Sequence, residues 1–180
     1  MRIRSQLLVA LLTLAACTAQ PSEPRVQLPM FFYGNFDNDI GAINQSGWAL
    51  SSPVNTRDDP AEALRAVISV EYLASELNTS PRWFRMSPLI KLQMVQARDE
   101  VRQALGIAPN AAPQAVINAL LAVLQDGWYG NMDHARQVLA SPTFTRPPDE
   151  TLRLLANLPP LPTARAATGS AEYAELTPRR

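Results

Sequence analysis

The chain is poor in the side chains that most chemistry needs. Among 180 residues there is one Cys and one His. One Cys excludes an internal disulfide framework and any Cys-rich zinc module. One His excludes multi-His metal sites and relays built on His pairs. An excess of positive charge is also missing, since 16 basic residues face 16 acidic ones. Proteins that hold nucleic acid through its phosphates usually carry a basic surplus, so a nucleic-acid partner is not expected. No apolar run approaches the ~20 residues that a membrane-spanning helix requires. There is no Gly-rich phosphate loop, no Gly-x-Ser-x-Gly elbow and no His-Glu-x-x-His. The absence of Glu-x-x-His argues against a di-metal bundle. No metal site, no cofactor and no catalytic residue is assigned.

Proline, by contrast, is abundant, with 16 copies. High proline often accompanies disorder, but an apolar fraction of 47% is too high for a wholly disordered chain. The length fits one domain.

The N-terminus carries a clear signature. Arg2 and Arg4 form a short basic region. Leu7 to Ala16 follow, with Thr13 the only polar residue among them. This is the pattern of a secretory signal peptide. It ends Leu14-Ala15-Ala16-Cys17, which resembles the lipobox of bacterial lipoproteins at every position. The resemblance covers the N-terminus alone, and the sole Cys stands where that family requires it. It implies a diacylglyceryl thioether at Cys17, cleavage before it, and further acyl chains such as palmitate. Acyl chains contribute ~0.8 kcal/mol per buried CH₂, and two or more give a stable anchor. Thr18 in place of Asp resembles the default route to the outer membrane, with the domain facing the periplasm. The membrane lipid would then be one partner. Cleavage removes residues 1–16, with two Arg and no acid, so the mature chain is slightly acidic.

Residues 17–29 hold three prolines and few apolar groups and read as an extended tether. Residues 30–59 contain Phe31, Phe32, Tyr33, Phe36 and Trp48 among Gly, Asn and Asp. They show no sustained period, so an irregular segment packing its aromatics on the core is expected, with a short strand at Met30–Tyr33. The domain proper is 60–158. Runs 61–80, 89–108 and 114–141 lack Pro, and each begins just after one, where a missing N–H is harmless. The spacing predicts helices over Pro60–Asn78, Pro88–Leu105, Pro113–Gln125, Asn131–Ala140 and Pro148–Leu158. Asp59-Pro60-Ala61-Glu62 is a capping-box-like start, and Gly106 is a natural stop. The helix from Pro113 is almost wholly apolar and is expected at the centre. Residues 159–180 are expected to form a disordered tail. The fold class is all-α, a small irregular bundle of four to five helices.

Few residues invite a chemical role. His134 is the first acid–base candidate, because histidine is the side chain suited to such work near neutral pH, but Asp133 is its neighbour at i−1 and does not face it on a helix. Glu71 falls inside the apolar arc of its helix. It meets an Arg from a neighbouring element or reaches the surface at a helix edge, or else it sits buried as an acid of raised pKa or binds a cation. Asn35, Asp37 and Asp39 have the alternate spacing of a calcium loop, but the sixth position is Ile40 and the twelfth Ser46, so the pattern fails. Lys91, Arg98 and Arg102 share one strip of a helix. That strip is either a solvated face or a contact for anionic headgroups. Trp83, Phe84, Trp128 and Tyr129 lie between helices, as a contact patch for an envelope protein or as caps on the core. Location and the lack of catalytic signatures point to a non-enzymatic envelope module. The alternative is a small-ligand or carbohydrate-binding lipoprotein using segment 30–48.

Overall fold

Prolines set the helix boundaries. Of the seven helices among the described residues, α2 (Pro60–Thr79), α3 (Pro88–Leu105), α4 (Pro113–Tyr129), α6 (Pro148–Ala156) and α7 (Pro162–Leu176) each open on one. The fixed φ of proline suits the first helical turn, and its missing N–H would have no partner there. The others are α1 (Asn38–Ser51) and α5 (Met132–Leu139). The computed structural model describes residues 23–34 and 37–177. The lipobox, Cys17 and Asn35 lie outside them. The all-α class holds, with more helices than the four to five expected.

Helix α2 holds the centre. It packs against α1, α3, α4 and α6, and Ala63, Val67, Ile68, Val70, Leu73 and Leu77 are fully enclosed. Its start is the expected cap, with the Asp59 carboxylate accepting from Glu62 N–H at 3.0 Å. The Pro113 helix, expected at the centre, packs instead on α2 and α5. It ends later than expected, at Tyr129. Helix α3 stops at Gly106, whose φ of +69° is the left-handed cap that glycine adopts without penalty. The following residue, Ile107, forms an isolated bridge with Phe144 that ties the α3–α4 and α5–α6 connections together.

Four expectations need correction. Segment 30–59 is not irregular throughout, because α1 occupies fourteen residues of it. Residues 159–180 are not all tail, because α7 spans Pro162–Leu176 and buries Ala164, Ala167 and Ala171. Both helices were hidden for one reason. Their buried faces are mostly small: Gly41, Ala42, Ser46, Gly47 and Ala49 beside Asp39 and a single large apolar residue, Ile43, on α1, and Ala164, Ala167, Thr168 and Ala171 on α7. Small residues give little hydrophobic periodicity, yet they let helices approach closely, and α1 and α7 pack on each other. Met30–Tyr33 is a turn, not a strand. Gly34 N–H donates to Phe31 O at 2.8 Å there. The tether is docked over the part that is described. Val26 is buried, Glu23 pairs with Arg98, and Gln27 N–H donates to the Gln114 side chain at 2.7 Å.

Candidate functional site

A broad groove of about 1000 Å³ opens between α1, α3 and α7. Ala49 and Leu50 from the end of α1 form one side. Leu89, Ile90 and Gln93 from the first turns of α3 form another. The floor is the Leu158–Pro162 connection, whose three prolines leave few backbone donors to satisfy. Along α7, Ala166, Gly169 and Tyr173 face the space at helical spacing. A Cβ on Gly169 would meet nothing within 4 Å, so the groove is open there. Leu89 and Tyr173 remain 62% and 72% exposed. The lining contains Arg165 and no Asp or Glu. Glu100 lies outside the lining and caps α7, accepting from Thr163 N–H at 3.2 Å and Ala164 N–H at 2.7 Å. The volume lies at the upper end of the range for small-molecule sites.

The residues singled out from the sequence sit elsewhere, and most are engaged with each other. Several described side chains of segment 30–48 are engaged within the fold. The Tyr33 ring packs edge-on to Phe32 and lies against Gly41, and its hydroxyl pairs with Ser69 Oγ at 2.6 Å. Burial pushes the Tyr33 hydroxyl pKa well up. Asp39 is buried and accepts from Tyr72 Oη at 2.6 Å, Trp83 Nε1 at 2.9 Å and Arg82 at 3.2 Å. Burial first, and then the Asp39 carboxylate, raise the Tyr72 hydroxyl. Asp37 caps α1 through Asp39 and Ile40 N–H. Burial works against its ionised form. The Ile40 N–H and Arg82 outweigh that and hold its carboxyl below the usual range. The aspartates of the supposed calcium pattern thus build a cap and a buried network.

Glu71 meets an Arg from the neighbouring helix. Arg102 Nε donates to its Oε1 at 2.7 Å and Nη2 to its Oε2 at 2.8 Å. Burial outweighs the guanidinium and raises the Glu71 carboxyl. Arg102 also donates to Pro109 O and Ala111 O, so it anchors the α3–α4 loop. Arg98 forms a two-pronged pair with Glu23 at 2.6 and 2.9 Å. The supposed basic stripe therefore fails as a headgroup contact, because Arg98 and Arg102 are 8% and 4% exposed. Lys91 is half-buried. A polar strip read from sequence had two meanings, and here it is an inward face of paired charges.

Trp83 and Phe84 lie in the turn after α2, and Tyr129 closes α4. Trp83 is half-buried and tied to Asp39, with the Arg82 guanidinium 5.1 Å from its ring centroid. Phe84 and Tyr129 are 71% and 85% exposed. The Trp128 side chain lies outside the described set. His134 pairs through Nδ1 with the buried Asp126 at 2.8 Å rather than with Asp133. The signal for that partner was the eight-residue spacing across the Gly130 turn. No cluster of three or more His, Cys, Asp or Glu able to hold a metal occurs among the described residues. No described helix is long and apolar enough to cross a membrane.

No protein family, curated protein or solved structure matches this chain.

Proposed function

We propose that the chain is a lipid-anchored envelope protein whose helical domain works by binding rather than by catalysis. The observation that carries this reading is Leu14-Ala15-Ala16-Cys17 at the end of a short apolar run. Acyl chains at Cys17 would hold the domain at a membrane, at the outer membrane and facing the periplasm by the default route. The role as a binding module is supported by how the charged groups are used. Asp39, Glu71, Arg98 and Arg102 are buried in pairs within the fold, where they specify packing rather than face a substrate. Phe84 and Tyr129 offer exposed aromatic area to an envelope partner.

Labelled palmitate tests the anchor. The unaltered chain should incorporate the label and fractionate with membranes, and Cys17→Ala should do neither. Labelling of Cys17→Ala would overturn the reading.

A second reading, small-ligand binding, is favoured by the groove between α1, α3 and α7 rather than by segment 30–48. In-cell crosslinking followed by mass spectrometry separates the two. A reproducible protein partner supports the interaction module, and a co-purifying small molecule supports the ligand site.

A further inference from the structure

We propose that the α1/α3/α7 groove binds a long-chain fatty acid, with its chain along the apolar lining and its carboxylate at Arg165. This rests on the ligand-binding reading and adds the chemistry of the ligand.

Three observations converge on it. The groove is mostly hydrocarbon and roomy, at about 1000 Å³, walled by Leu50, Ile90 and Leu161 with prolines beneath. Such a surface takes up a flexible chain without requiring hydrogen bonds from it. Its charge is one-sided, because Arg165 lines it and no carboxylate does. No described carboxylate pairs with Arg165, whereas the nearby Glu100 is already bonded to the first N–H groups of α7. A guanidinium presents parallel N–H donors that match a carboxylate in two-pronged fashion. Finally, α7 keeps its groove side low where bulk would close the space. Gly169 stands mid-helix at a cost of about 1 kcal/mol relative to Ala, and no packing contact demands a glycine there.

A neutral acyl glycerol would leave Arg165 without a partner, and an apolar helix would not call for a cation. A lysophospholipid shares the anionic chain, but it brings a bulkier head.

The test uses the full chain carrying Cys17→Ala, so that no covalent acyl group competes and the outcome does not depend on lipidation. Oleate below its micelle concentration is titrated calorimetrically at pH 8, beside monoolein and lysophosphatidylglycerol. The expected result is saturable one-to-one binding of oleate, at least tenfold tighter than of either comparison ligand. Arg165→Ala should weaken oleate tenfold or more and leave monoolein unchanged. Gly169→Trp should abolish binding while the thermal transition stays in place, since its side chain enters open space.

Equal affinity for monoolein with no effect of Arg165→Ala would overturn the assignment of the head and leave a ligand groove. Preference for lysophosphatidylglycerol would overturn the carboxylate in favour of a phosphate headgroup. No heat with any of them would overturn the ligand site altogether. So would a concentration-dependent dimer that Gly169→Trp dissociates, since the groove would then be an interface between copies.

Discussion

Glu71 and Arg102 join α2 to α3 by two hydrogen bonds in a space where both side chains are almost wholly enclosed. Removing one partner from such a pair leaves an uncompensated charge, which costs ~3–5 kcal/mol. Arg102→Met should lower the unfolding free energy by about that amount in urea titration. The double variant Glu71→Leu, Arg102→Met should recover much of it. Recovery should stay incomplete because Pro109 O and Ala111 O also lose their donor. Full additivity of the two single losses would refute this account. Asp37 gives the pH dependence. Its carboxyl lies below the ordinary value of 3.8 in the folded chain. Its contribution is therefore complete above that value and is lost as pH falls through the lower folded one. Asp37→Asn should be less stable than the unaltered chain at pH 5, and the gap should narrow as pH falls below 3.8. A constant gap across that range would assign the loss to packing.

At the scale of helices, the closeness of α1 and α7 depends on small side chains. Ala167 is fully enclosed, so Ala167→Leu should overpack the buried side of α7 and cost ~1–3 kcal/mol. Ala166→Leu, on the exposed side of α7, should shift the melting temperature little. Equal effects would mean that α7 is loosely held. The same chemistry explains what the sequence disclosed. Helices that bury Leu, Ile and Val, such as α2 and α3, announce themselves by period, and prolines plus Gly106 place their ends. Helices that bury Gly, Ala, Ser and Thr have the composition of a loop. Glu71 is readable as a misplaced charge on an apolar arc, and an Arg partner is one of several meanings such a charge can have. The inward turn of Arg98 was not readable, because its partner Glu23 lies 75 residues away in a stretch that looks like a linker.

For the whole molecule, the groove is a product of the two concealed helices and the Leu158–Pro162 run between α6 and α7. Without α7 there is no third wall, so the site could not be drawn from the sequence. The exposed aromatics offered as a contact patch lie at helix ends, at Phe84 after α2 and Tyr129 closing α4. The docking of Glu23 on Arg98 also bears on where the protein would stand. A tether running to residue 29 would let the domain roam some distance from a bilayer. The chain is already fastened at residue 23. An anchor at Cys17 would leave six Cα steps, which span at most ~22 Å. Such a domain would be held within about 22 Å of its anchor point, more like a stud than a kite. Its collisions would be confined to molecules within that thin shell.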